Sequence, residues 1–77
     1  MKMFEIYLRT VEDVKKFVSL AHAQPFAVRV GSDHYSVDGK SFMQMFSLDL
    51  SASQQIKLDC TDEEFTRFFT AAAQFQI

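Results

Sequence analysis

Every strand-like run in this chain carries a single apolar face, and that limits how the molecule can be layered. From Met3 to Leu8, Phe4, Ile6 and Leu8 fall on one side and Met3, Glu5 and Tyr7 on the other. Phe26, Val28 and Val30 alternate against Ala27 and Arg29, a turn follows at Gly31-Ser32-Asp33, and a second alternation runs through Tyr35 and Val37. Ile56, Leu58 and Cys60 alternate with Lys57 and Asp59. Period-two patterning of this kind describes half-buried strands, with the middle pair forming a hairpin. Such a sheet has one side to cover and one to leave in water.

The covering elements are announced by their starts. Thr10 and Asp13 open a helix whose apolar positions Val11, Val14, Phe17, Val18 and Ala21 recur at helical spacing, and Pro25 stops it. Thr61 with Glu64 forms a capping box ahead of Phe65, Phe68, Phe69, Ala72 and Phe75, a broad apolar face that needs a sheet beneath it. Ser41 with Gln44 forms another, ahead of a short and very apolar segment ending at Leu50. The order is β-α-β-β-α-β-α, an α+β two-layer sandwich with a four-stranded sheet and helices collected on one side.

Composition bounds the function. Residues 1–77 make one small domain, near the lower end of what folds without metals or disulfides. A hydrophobic content of 48%, with nine Phe, suffices for a core and argues against disorder. The single Cys60 excludes an intramolecular disulfide and suits a reducing compartment, and the sequence has no zinc-ligand spacing. A net charge of -2 offers no basis for binding nucleic acid or an anionic membrane. With neither a signal peptide nor a long apolar span, the chain reads as cytoplasmic, and no cofactor or metal is expected.

The segment Lys40-Ser41-Phe42-Met43-Gln44-Met45-Phe46-Ser47-Leu48 resembles the regulatory segment of HPr, the phosphocarrier of the bacterial sugar phosphotransferase system. The similarity extends to Ala27–Gly39 and Gln54–Asp59, roughly the C-terminal two thirds of the chain. It implies the HPr topology, an open-faced sandwich of an antiparallel four-stranded sheet with three helices on one face. A ferredoxin-like βαββαβ arrangement with an added helix is the alternative, and the brevity of the second helix favours the HPr arrangement. In that family a histidine at the start of the first helix carries phosphate, in a loop containing Gly, His, Arg and Pro. The equivalent junction here, Leu8-Arg9-Thr10-Val11-Glu12-Asp13, is shorter and has none of His, Gly or Pro. Thr10 matches the lost histidine. Glu12 falls near the arginine that neutralises the phosphate, and its charge would repel one.

The resemblance therefore implies a divergent, non-enzymatic HPr-like domain that binds or regulates other proteins, similar to the catabolite-repression HPr paralogue. Ser41 matches the serine phosphorylated by a dedicated kinase in the family, with Lys40 beside it as a partner for a phosphate. Phe42, Met43, Met45, Phe46 and Leu48 match the surface that docks phosphotransferase-system components, the serine kinase and a transcriptional regulator. Six apolar residues, these five and Leu50, cannot all point inward from a two-turn helix, and two or three are expected outside. Asp49 stands where the family usually has Gly, which alters the local contact geometry. His22 is expected as a boundary residue at a helix C-terminus, His34 as a turn residue, and Cys60 as core filler. The Glu63-Glu64 pair reads as dipole compensation. The alternatives are a phosphocarrier acting through a displaced histidine, and a self-associating module or homodimer.

Overall fold

The computed structural model describes residues 2–32 and 34–76. The elements run β1 (Lys2–Ile6), α1 (Val11–His22), β2 (Val28–Gly31), β3 (Ser36–Asp38), α2 (Phe42–Met45), β4 (Gln54–Leu58) and α3 (Asp62–Ala71), closed by a 3₁₀ turn at Ala73–Phe75. The strands form one sheet in the order β1-β4-β2-β3, antiparallel throughout. β4, the last strand in the chain, inserts between β1 and β2.

The registers show why one-sided strands suffice. Phe4, Ile56, Val30 and Val37 line up across all four strands. Ile56 and Val30 are fully buried in this row. The neighbouring row is Met3, Lys57, Arg29 and Asp38 and belongs to the opposite face. The helices cover the apolar rows, placing Val14, Phe17 and Ala21 of α1 and Phe68 of α3 in the core. Phe17 meets Phe68 edge to face at 6.1 Å between ring centroids and Phe75 at 5.8 Å. This is the two-layer α+β sandwich expected from the pattern, in the open-faced form with three helices on one side that the resemblance implies.

The alternations overrun the strands they announce. β1 ends at Ile6, and the Tyr7 N–H donates to the Phe75 carbonyl at 2.7 Å, so the 3₁₀ turn replaces a strand neighbour there. Phe26 precedes β2 and Cys60 lies beyond β4, half-buried against the core. The expected β2–β3 turn hinges on Gly31, at φ +156°, while Asp33 lies outside the described residues. A Cβ at Gly31 would sit 2.0 Å from the Tyr35 carbonyl oxygen, which already accepts from the Ser32 N–H. Only glycine fits.

The last helix is also shorter than its apolar spacing suggests. It stops at Ala71, and the tighter 3₁₀ turn carries Phe75 into the core instead. Phe65 and Phe69 lie toward the edge of the sheet, packed on Phe4 at 5.9 and 5.1 Å.

Candidate functional site

At the start of α1, Thr10 is the N-cap in extended backbone, and its hydroxyl accepts from the Asp13 N–H at 3.1 Å. The Asp13 carboxylate reaches back to accept from the Arg9 N–H at 3.0 Å. Glu12 and Asp13 bring negative charge to the first turn, where the helix dipole is positive. The Arg9 guanidinium lies 5.3 Å from the Tyr7 ring centroid. Glu12 and Lys15 are 3.9 Å apart and largely in water, a pair that contributes little. Thr10 offers no nitrogen to phosphorylate, and an incoming phosphate would meet two carboxylates. The histidines are elsewhere: His22 is the last residue of α1, and His34 lies between β2 and β3 with its backbone N–H near Ser32 Oγ at 3.4 Å.

The approach to α2 is held by a compact set of bonds. The Gly39 N–H donates to the Val28 carbonyl at 2.7 Å, and a Cβ at Gly39 would come within 2.9 Å of Val28 and Val30 side-chain atoms. Asp38 Oδ1 accepts from the Lys40 N–H at 2.9 Å, and the Asp38 carbonyl accepts from the Ser41 N–H at 3.0 Å. Ser41 caps α2 as expected, but weakly, accepting from the Gln44 N–H at 3.4 Å. The reciprocal half of the expected capping box is missing. The Gln44 side-chain oxygen accepts from the Asp38 N–H instead, because the Ser41 N–H already belongs to the turn. Lys40 is likewise not free to pair with a phosphate on Ser41. Its ammonium donates to the Gln24 carbonyl at 2.9 Å and ties α2 to the end of α1.

Four helical residues split the apolar segment cleanly. Met45 is fully buried and belongs to the core, which corrects its assignment to the docking surface: the single buried position of so short a helix falls there. Leu48 is half-buried against the core and contributes only an edge. Phe42, Met43 and Phe46 remain outside, at 37%, 85% and 43% exposure. Phe42 and Phe46, four apart, stack edge to face at 4.8 Å, and Met43 is three residues before Phe46. Phe42 also borders a shallow groove with Lys15, Val18, Ser19 and His22 of α1. These four α1 residues are spaced i, i+3, i+4, i+7 along one side of the helix, apart from the buried Val14, Phe17 and Ala21. Their helical spacing was the available signal.

Beyond α2, Ser47 Oγ donates to the Gln44 carbonyl at 2.7 Å and lies 2.8 Å from the Tyr35 hydroxyl, joining the helix to the hairpin. Asp49 turns its carboxylate onto Ser51, at 2.5 Å to the hydroxyl and 3.0 Å to the amide, and these bonds hold its pKa below the ordinary value. Gln54 is buried, its amide donating to the Asp49 and Ala52 carbonyls at 2.6 and 3.0 Å. At Cys60, burial and the nearby Glu64 carboxylate push the thiol pKa up from its ordinary value.

Among the described residues no group of His, Cys, Asp and Glu is arranged to hold a metal ion, and no helix is long and apolar enough to cross a membrane. No known family model matches the sequence, and no curated protein matches it. Among solved structures it is similar to the crystal structure of HPr-C-His from Thermoanaerobacter tengcongensis, with a TM-score of 0.76 and 22% identity over 96% of this chain and 92% of that one. The chain has the fold of HPr, with threonine capping its first helix and an aromatic patch at its shortest one.

Proposed function

We propose that this chain is a non-catalytic, HPr-like protein-docking domain of the cytoplasm that carries no phosphate on histidine. The observation that carries the reading is the exposed cluster Phe42, Met43 and Phe46 beside the α1 groove. Three large apolar side chains on a four-residue helix and its C-cap do little for the core, and a contiguous patch of this kind is the usual signature of a surface that another molecule covers. At α1 the hydroxyl of Thr10 and the carboxylates of Glu12 and Asp13 replace what phosphoryl transfer needs. The partners in this reading are phosphotransferase-system proteins, a serine kinase acting at Ser41, or a transcriptional regulator.

Two measurements test it. Incubation with enzyme I and phosphoenolpyruvate should leave the protein unmodified, and an acid-labile phosphate on His22 or His34 would overturn the reading. Thr10→His alone should not restore transfer, since Glu12 remains. Phe46→Asp should keep the fold, because the side chain lies outside the core, yet lose proteins that the wild type retains in pull-downs. Equal capture by both, with a monomer in light scattering, would leave the patch without a docking role.

A further inference from the structure

We infer that Met43 is a peroxide-sensitive modification site, and that its conversion to the sulfoxide closes the apolar face of α2. The second half of this inference rests on the docking reading above; the first does not. Thioether oxidation follows the access of the oxidant to sulfur. Met43 is 85% exposed, Met3 is 53% exposed, and Met45, two residues along the same helix, is fully buried. Met1 lies outside the described residues. The helix thus carries its own internal control, an outward and an inward methionine on one turn.

Position gives the modification a consequence. Met43 lies on the exposed side of α2 with Phe42 and Phe46, whose rings already contact each other. The step is a two-electron oxygen transfer from a peroxide. A sulfur lone pair attacks one peroxide oxygen, the O–O bond breaks, an S–O bond forms, and the other oxygen leaves as water after taking the proton. Sulfur is oxidised and the peroxide reduced. The product replaces an apolar, polarizable atom with a strongly polar one at the most exposed point of the patch. A thiol-dependent sulfoxide reductase would reverse it.

The other oxidisable side chain, Cys60, is half-buried, and its raised pKa keeps the thiolate scarce. Working at about pH 6 lowers the thiolate further while leaving thioether oxidation unaffected.

The test exposes the folded chain to hydrogen peroxide and follows each methionine by peptide mass spectrometry. Met43 should oxidise about twofold faster than Met3 and more than about tenfold faster than Met45, with the Met45 protection lost in denaturant. Comparable rates at Met43 and Met45 in the folded chain, or a faster Met3, would overturn the assignment. For the consequence, retention on a hydrophobic-interaction column should fall after peroxide in a Met3→Leu variant, and distinctly less in Met3→Leu combined with Met43→Leu, because Met3 is itself exposed. An oxidised Met3→Leu variant that is retained unchanged would overturn closure of the face. If the mapped order holds but Phe46→Asp captures partners as the wild type does, the docking reading fails while the modification site stands.

Discussion

Helices α2 and α3 begin alike and end differently. Each is opened by a hydroxyl N-cap accepting from the backbone N–H three residues on, and each carries large apolar side chains. In α3 the capping box is complete, with the Glu64 carboxylate accepting from the Thr61 N–H at 3.0 Å, and Phe68 is buried against Phe17 and Phe26. In α2 the corresponding Gln44 is drawn off to Asp38, one side chain is buried, and the aromatic pair faces water. Each helix buries one side chain, but Phe65 and Phe69 of α3 also pack on Phe4 of β1, whereas Phe42 and Phe46 pack on each other.

The largest effect that separates them lies inside α3. Phe68→Ala removes a buried ring contacting rings from α1, β1 and the α1–β2 loop, and should cost about 3–5 kcal/mol. Phe69, one residue on, is partly in water and rests on Phe4 alone at the β1 edge and on Phe65 within its own helix. Its change to Ala should cost about 1 kcal/mol. Thermal melts of the two variants check the contrast, and equal midpoints would mean that the buried face of α3 has been misassigned.

Within α2 the same contrast falls between residues two apart. Met45→Ala should cost about 2–4 kcal/mol, the penalty of a cavity beneath the helix. Met43→Ala should stay within about 0.5 kcal/mol, as for a surface change. Denaturant titrations would read both. Loss of stability at Met43 comparable to that at Met45 would make α2 a core helix throughout and remove the case for an open patch.

How far the sequence reveals this division depends on element length. In α1 and α3 the apolar residues span several turns, so periodicity picks out Val14, Phe17, Ala21 and Phe68 as inward, although the same spacing also takes in Val11 and Phe69, which lie at the rim and are exposed. The element order and the single covered face of the sheet follow from the same periodicities. The end of α3 was not legible, because a 3₁₀ turn advances three residues per turn and keeps Phe75 in line with a pattern that also fits an α-helix. Nor was Met45. Over four residues a helix makes barely more than one turn, so Phe42, Met43, Met45 and Phe46 give no phase, and only tertiary packing decides which one turns in. The fate of Gln44 and Lys40 was hidden for a related reason. Their partners, Asp38 and Gln24, lie outside the helix they belong to.

The caps themselves offer a finer comparison. Thr61→Ala breaks a two-way box with bonds of 3.0 and 3.1 Å and should cost about 1 kcal/mol. Ser41→Ala loses one long bond while Gln44 keeps its grip on Asp38, and should cost about half as much. Chemical denaturation of the two alanine variants decides. A larger loss at Ser41 would show that its hydroxyl holds the α2 approach in a way the hydrogen bonds do not account for.

The smallest effect concerns charge, which α3 but not α2 brings to its first turn, through Asp62, Glu63 and Glu64. Asp62 pairs with the Lys2 ammonium, which also lies 5.9 Å from the Phe65 ring centroid, so the ion pair pins the start of α3 to β1. The hydrogen bond to Lys2 and its positive charge hold the Asp62 pKa below its ordinary 3.8. A carboxyl depressed in the folded state stabilises the fold above its unfolded value, and that contribution disappears as pH falls through the folded one. For Lys2 the hydrogen bond to Asp62 raises the pKa above 10.5 against a smaller opposing effect of burial. Its contribution is present below that value and is lost as pH rises through the folded pKa. Asp62→Asn should therefore melt slightly below the wild type across about pH 5–9, and the difference should close in strong acid. Asp49, bonded to Ser51 in the turn after α2, also loses its contribution in acid, in both proteins equally, so the difference between variant and wild type isolates α3. A gap that persists unchanged at about pH 2 would show that Asp62 serves α3 through the shape of its side chain rather than its charge.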